Sequence, residues 1–204
     1  MVTMTNQSSV GPRGLRRTVA PTLQVISVAT FKQHARIDVD DDDTLIAEYL
    51  EAATEYVEKY QNRCWRQATY QAVYDCFPSD GVFYMPVPPL VSVTSIVYTD
   101  SAGDSQTLST DYYAVDAASQ PGRVSLKFGQ LWPSTYDQLG SITITFVAGY
   151  SSVSDVPARV KQVVRLLAAN SYENREPIVT GTIATALPLS AMELMNEDRF
   201  VNYR

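Results

Sequence analysis

Apolar residues recur at three- and four-residue steps in two separate stretches of the chain. In the first, residues 40–63, the repeat follows a run of aspartates, which favour the positive end of a helix dipole. In the second, residues 155–176, Asp155 can cap a helix, Pro157 suits its first turn, and Pro177 follows the last polar turn. Both stretches are therefore predicted to form amphipathic helices that pack against each other.

The chain between these two stretches changes from helical spacing to alternation. Residues 68–76 place Ala, Tyr, Ala, Tyr and Cys on one side, and residues 124–128 and 142–146 alternate in the same way. The DSAG stretch, Asp100–Gly103, is typical of a turn between two strands of a hairpin. We predict an α+β fold: a helical core of two long amphipathic helices plus a short one, with a β-rich insert, residues 64–150, between the long helices.

The remaining segments complete the predicted organisation. Residues 1–26 are interpreted as a flexible basic arm, and residues 27–63 as the N-terminal core helices, the first of which Ser27 could cap. Residues 151–182 are assigned to the last core helix and the loop after it. Residues 183–204 are a C-terminal tail with more apolar residues than a free tail should expose. The tail either packs on its own domain or is covered by another chain.

Charge is distributed unevenly along the 204 residues. The formal net charge is -6, yet residues 1–37 contain five basic residues and no acid, which leaves -11 for the rest of the chain. An acidic body repels phosphate, so general binding to nucleic acid is not expected outside the basic leader. The leader is also Arg-rich like an organellar transit peptide, a weaker interpretation. No stretch approaches the roughly 18 consecutive apolar residues of a membrane span, so no membrane partner is predicted.

The sequence does not contain a recognisable catalytic or cofactor motif. His34 is the sole histidine, no GxSxG nucleophile elbow accompanies it, and we expect it on a helix surface. Cys64 and Cys76 could form one disulfide, but without a secretory signal two reduced thiols are favoured. Phosphate-binding Walker and GxGxxG loops do not occur in the sequence either. We therefore predict a protein that is not an enzyme, with no catalytic residue and no cofactor.

The acidic run Asp38–Asp43 invites a calcium-loop interpretation. Counted from Asp38, an EF-hand loop needs Gly at its sixth position and Glu at its twelfth, but these positions hold Asp43 and Tyr49. The run is better explained as helix capping and a solvated acidic corner, and no metal site is predicted. A pair of carboxylates like that of a glycosidase remains an open but minor alternative, since nothing singles out one pair.

Three segments in this order resemble the head-to-tail connector (adaptor) proteins of tailed bacteriophages. The segments are TLIAEYLEAATEYVEKYQNRCW, then VPPLVSVTSIVYTD with a later PGRV, and finally ITFVAGYSSVSDVPARVKQVVRLLAANSYENRE, which carries the most weight. The similarity covers roughly residues 27–176 and rests on structural rather than catalytic motifs.

The resemblance implies a virion protein of the neck, assembled in the host cytoplasm. Such a subunit would form a ring below the portal, most simply a dodecamer, extend the DNA channel, and dock the next neck or tail completion protein. Its expected partners are thus its own copies, the portal protein, that completion protein, and DNA that passes without specific binding. An acidic body suits such a channel because it disfavours DNA adhesion.

The resemblance also suggests that the C-terminal tail reaches the portal. The predicted portal-contact residues are Leu187, Leu189, Met192, Leu194, Phe200 and Tyr203. An alternative function is a nucleic-acid-binding module that uses the basic N-terminal arm, with DNA contacts from Arg13, Arg16 and Arg17.

Overall fold

A computed structural model describes residues 11–174 and 189–201, without the side chains of residues 189 and 190. The described chain divides into two compact units. The helical unit comprises residues 22–66 together with residues 150–174 and 189–201. The sheet unit comprises residues 11–21 and 67–149.

Four α-helices build the described part of the helical unit. They are α1 (Val28–Ala35), α2 (Asp43–Gln61), α3 (Ala158–Glu173) and α4 (Leu189–Glu197), and a 3-10 turn at Val153–Asp155 precedes α3. Ser27 caps α1, because its hydroxyl oxygen accepts a hydrogen bond from the Thr30 backbone N–H at 3.2 Å. Arg36 and Asn62 end α1 and α2 in the left-handed conformation.

The core of the helical unit lies between α2 and α3, whose apolar positions repeat with helical spacing. Ile46 and Val57 of α2 and Val163 and Val164 of α3 are fully buried, and Phe31 of α1 is buried in the same cluster. Met195 of α4 completes the cluster from the C-terminal segment. Burial of each large apolar side chain contributes roughly 1.5–3 kcal/mol, so this cluster is the main source of stability in the unit.

Eight strands build the described part of the sheet unit, in two antiparallel sheets. The five-stranded sheet has the order β1-β2-β8-β4-β5, and the three-stranded sheet has the order β3-β7-β6. The strands are β1 (Gly14–Val19), β2 (Ala68–Tyr74), β3 (Val82–Tyr84), β4 (Leu90–Thr99), β5 (Ser105–Thr107), β6 (Tyr113–Asp116), β7 (Arg123–Leu126) and β8 (Ile142–Ala148).

The central strands alternate as their sequences predict. Residues Ile142, Ile144, Phe146 and Ala148 of β8 are all buried, and the residues between them are half-buried. Opposite them, Ala72 of β2 pairs with Ile144, which places both on the same inner face. The predicted DSAG hairpin is also present, since β4 and β5 pair on either side of that turn.

Close packing joins the two sheets of this unit. Phe83 of β3 lies 4.8 Å from Tyr74 of β2, measured between ring centroids. At Gly122 a Cβ atom would lie 2.4 Å from Cβ of Leu90, so only glycine fits against β4 here. Sheet pairing and aromatic contacts therefore hold this unit together.

The predicted architecture, a helical core of two long helices and a short one that carries a β-rich insert, is wrong. The described residues form four helices and two antiparallel sheets, and the sheet unit has its own core. The edge strand β1 lies before the first helix, so the sheets are not simply an insert between helices. The sequence concealed β1 because its residues are mostly exposed and show no apolar alternation.

Candidate assembly surfaces

The C-terminal segment packs against its own helical unit. The Gln61 side-chain amide donates to the Met195 carbonyl at 3.0 Å, and the Tyr60 hydroxyl donates to Oδ1 of Asn196 at 2.7 Å. Arg63 donates through Nε to the Asp198 carbonyl at 2.6 Å. Of the two alternatives for the tail, packing on its own domain therefore holds for the described part, residues 189–201.

The predicted portal-contact residues are divided by this packing. Met192 is 36% exposed, whereas Leu194 packs against the helical core and Phe200 is half-buried, with its backbone N–H bonded to the Gln61 carbonyl. Leu187 and Tyr203 lie outside the described residues, and Leu189 begins α4 with its side chain undescribed. Met192 is thus the described member of the set that offers the most apolar surface to a partner.

The three arginines predicted to contact DNA lie at the start of the sheet unit and not in a flexible arm. Arg16 and Arg17 belong to β1, which pairs with β2. Arg13 forms an ion pair with Asp75 at 3.0 Å, and Arg16 donates to the side-chain oxygen of Gln71 at 2.8 Å. These intramolecular contacts compete with phosphate for two of the three guanidinium groups.

The acidic run Asp38–Asp43 contacts side chains of two other helices, α1 and α3. The Lys32 ammonium group of α1 contacts both Asp40 and Asp43, and the Tyr172 hydroxyl of α3 donates to Asp42 at 2.7 Å. Hydrogen bonds to Asp40 and Asp43 raise the pKa of Lys32, and the bond to Lys32 lowers the pKa of the Asp40 carboxyl. Among residues 11–174 and 189–201, no group of His, Cys, Asp and Glu could hold a metal ion.

The sequence interpretation missed a buried charge cluster centred on Arg66. This guanidinium is 1% exposed and bonds Glu51 at 2.6 Å and Glu58 at 3.0 Å, both from α2. Burial alone would lower the Arg66 pKa, but the hydrogen bonds to Glu58 and Glu51 outweigh it and raise the pKa. Glu51 and Glu58 are seven residues apart, which puts them on one helix face, but nothing in the sequence identified Arg66 as their partner.

One loop of the sheet unit, residues 127–140, displays large apolar side chains. Among the described residues, only three large apolar side chains exceed 80% exposure: Phe128 at 107%, Leu131 at 81% and Leu139 at 89%. The loop is nevertheless anchored, because Trp132 stacks on Phe77 with ring centroids 4.7 Å apart. An anchored loop with uncovered apolar groups is typical of a protein interaction site.

An open recess lies beside the end of this loop. Its lining residues are Arg13, Gly14, Val73, Asp75, Leu139 and Gly140, and its volume is about 710 Å³. Asp75 organises the recess, because its carboxylate accepts from Arg13 and from the Gly140 backbone N–H at 2.8 Å. Gly140 has a φ of +69°, a conformation that favours glycine.

The structure contains no disulfide between Cys64 and Cys76. In the parts of the chain that the structure describes, no helix has the length and apolar character to cross a membrane.

Comparison with known proteins shows which family part of this chain resembles. Residues 25–102, which include α1, α2 and β2 to β4, match the family model described as "Phage gp6-like head-tail connector protein". The predicted resemblance to the head-to-tail connector family is confirmed. No curated protein matches the chain.

Several solved structures share the fold across nearly the whole chain. The first, "Neck of empty GTA particle computed with C6 symmetry", is 24% identical with a TM-score of 0.74, over 94% of this chain and 97% of the other. The second, "Virion of native gene transfer agent (GTA) particle", is 23% identical with a TM-score of 0.75, over 93% and 97%. A third, "Neck of native GTA particle computed with C12 symmetry", is 24% identical with a TM-score of 0.73, over 94% and 97%.

Family and fold point in the same direction. The connector-family model matches residues 25–102, and the solved neck and virion structures share the fold over nearly the whole chain.

Proposed function

We propose that this chain is a head-tail connector subunit that forms a ring below the portal, extends the DNA channel, and docks the next neck or tail protein. The match of residues 25–102 to the connector family is the observation that carries the proposal. Neck structures of the same fold were computed with C6 and C12 symmetry, which supports a ring with a copy number of twelve.

The charge of the chain suits a passage for DNA. Each copy has a formal charge of -6. Twelve copies would then carry about -70, and such a field disfavours adhesion of DNA to the ring. DNA is accordingly proposed to pass through the ring without specific binding, after assembly of the neck in the host cytoplasm.

The first test is the mass of the purified protein in solution, alone and mixed with the portal ring of the same phage. We expect a ring in at least one condition, with about twelve copies per portal if the neck symmetry is shared. Sedimentation velocity gives the mass in both conditions. A monomer that ignores the portal would overturn the proposal.

Contact of the C-terminal segment with the portal is part of this proposal. Deletion of the whole segment is an unsuitable test, because Ala191 and Met195 are fully buried in the helical unit. The Met192→Asp variant changes an exposed side chain instead, and Val153→Asp, at a position 37% exposed, is its matched control. We expect weaker portal binding from Met192→Asp alone; equal binding by both variants would remove Met192 from the contact.

The rival function, nucleic-acid binding through Arg13, Arg16 and Arg17, is tested by substitution of Arg16 and Arg17 with alanine, since Arg13 also lines the recess. The connector proposal expects unchanged assembly and unchanged retention of DNA on a filter. Loss of salt-dependent DNA retention with unchanged assembly would favour the rival.

A further inference from the structure

The loop of the sheet unit begins with an apolar projection that its own chain leaves uncovered. We name residues 127–131 the apolar tip; its sequence is KFGQL. Phe128 is fully exposed and Leu131 is 81% exposed. The exposed fractions of both side chains are far larger than is usual for apolar residues at a protein surface. A partner that covers them would therefore remove a substantial apolar area from water.

The tip is held in place from both sides. On one side the Lys127 backbone N–H donates to the Tyr112 carbonyl at 2.9 Å, and its side chain donates to the Thr110 carbonyl at 3.0 Å. On the other side Trp132 stacks on Phe77. Because the loop is already ordered, binding would not have to overcome the entropy of fixing it.

The recess described above offers an apolar counterpart on the same unit. Two of its lining residues, Gly14 and Gly140, lie beside Val73 and have no side chains. Leu139 forms part of its rim and is 89% exposed. The recess is open to solvent, so side chains from outside can reach it.

The tip does not fill the recess of its own chain. Full exposure of Phe128 means that no described residue covers it. Copies of this chain repel each other, because each has a net charge of -6. A contact between the tip and the recess suits such copies for the following reason. The tip carries only Lys127 as a charge, and the charges of the recess, Arg13 and Asp75, are paired with each other. Contact between the tip and the recess therefore does not bring unpaired acidic groups of two copies together.

We propose that the apolar tip of one copy inserts into the recess of a second copy of this chain. Tip and recess are different surfaces, so the contact is heterologous, and each copy keeps one free tip and one free recess for further copies. Such a head-to-tail contact closes into a ring when the rotation that relates one copy to the next is a whole-number fraction of a full turn. The inference deepens the proposed connector function and rests on it.

Two variants separate the two halves of the contact. Phe128→Asp with Leu131→Asp removes the tip at exposed positions and leaves the recess intact. Gly14→Trp fills the recess and leaves the tip intact, since a Cβ at Gly14 meets only Val73 at 3.9 Å. The matched control for the tip is Val39→Asp with Val153→Asp, which adds the same charge at exposed apolar positions of the helical unit. Gly14→Ala is the control for the recess.

The variants are tested singly and as an equal mixture, in whichever condition assembles the wild type, alone or on the portal ring. Products are fixed with glutaraldehyde and sized on denaturing gels, with sedimentation velocity in parallel. We expect a ladder to the full ring for the wild type and both controls, and single chains for each variant alone. In the mixture, the tip of the Gly14→Trp chain enters the intact recess of the other variant, and association stops at two chains.

The outcomes distinguish this contact from the connector function. Normal rings from either variant, or a mixture that forms no pairs, would overturn the tip-in-recess contact while the connector function stands. A wild-type chain that assembles in neither condition would overturn both. Melting temperatures equal to that of the wild type exclude misfolding as the cause of any loss.

Discussion

The two units of this protein are stabilised in different ways. The helical unit gathers the apolar faces of its helices into one cluster and buries a charged arginine, Arg66, at its edge. The sheet unit depends on strand pairing and on close contacts between its two sheets, and it exposes Phe128, Leu131 and Leu139. A unit that leaves several large apolar side chains uncovered is the better candidate for assembly, because association can still bury them.

The largest effect is expected in the helical unit, at its buried charge cluster. Arg66→Ala leaves Glu58, whose side chain is only 11% exposed, without its positive partner. Breaking a buried ion pair in this way costs about 3–5 kcal/mol in the free energy of unfolding. Urea unfolding measures the loss. The control Arg159→Ala removes a 52% exposed arginine that pairs with Glu197 and Asp198, and should cost about 1 kcal/mol or less. Equal losses would show that the Arg66 cluster is no stronger than a surface pair.

The next effect is expected in the sheet unit, where packing is tightest. Gly122→Ala places a Cβ atom 2.4 Å from Cβ of Leu90, so the backbone or the side chain must shift. Overpacking of this kind costs about 1–3 kcal/mol. Thermal and urea unfolding give the change, and Gly14→Ala, whose Cβ finds ordinary contact at 3.9 Å, serves as control. A Gly122→Ala protein as stable as the wild type would mean that the two sheets are not closely packed at this point.

A smaller effect is expected at the start of α1. Ser27→Ala removes the hydroxyl oxygen that accepts from the Thr30 N–H, and loss of such a cap costs about 1 kcal/mol. Ser27→Asp should restore most of the stability, because aspartate caps equally well. If alanine and aspartate variants unfold at the same urea concentration, the cap does not contribute to the helical unit.

The smallest effect concerns pH and the turn between β6 and β7. Hydrogen bonds from Ser119 and Arg123 lower the pKa of the half-buried Asp116 carboxyl below its ordinary 3.8. A depressed folded-state pKa gives a contribution that is fully present above the unfolded-state value and is lost as pH falls toward the folded-state value. The difference in urea midpoint between wild type and Asp116→Asn should therefore be largest at neutral pH and shrink below about pH 4. A difference that is constant from pH 7 to pH 3 would contradict this assignment.

Local periodicity located several elements but not their arrangement. The spacing in residues 40–63 and 155–176 anticipated the positions of α2 and α3, and alternation anticipated β2, β7 and β8. The architecture assembled from these elements was wrong, because β1 and α4 carry little periodic signal. Only two residues of α4 with described side chains, Ala191 and Met195, are buried, too few to stand out in an apolar segment.

The candidate surfaces were also only partly predictable from local sequence patterns. The C-terminal apolar residues attracted attention in the sequence, yet Leu194 and Phe200 are occupied by their own unit. Phe128 was predicted to lie on the inner side of a half-buried strand, yet β7 ends at Leu126 and Phe128 is fully exposed. Leu131 was not singled out, since the sequence does not reveal which apolar residues of a loop point outward. The arginines of the basic leader appeared free for DNA until the pairing of β1 with β2 placed Arg13 against Asp75.

The sequence by itself determined the apolar stripes of the long helices, the alternation of the inner strands, the acidic charge, and the connector resemblance, because each is a property of neighbouring residues. The tertiary structure alone decided which strand closes the sheet, that Arg66 is buried between two glutamates, and that the loop at residues 127–140 presents its apolar side chains to solvent. These features depend on contacts between residues far apart in the chain, and local patterns carry no record of such contacts.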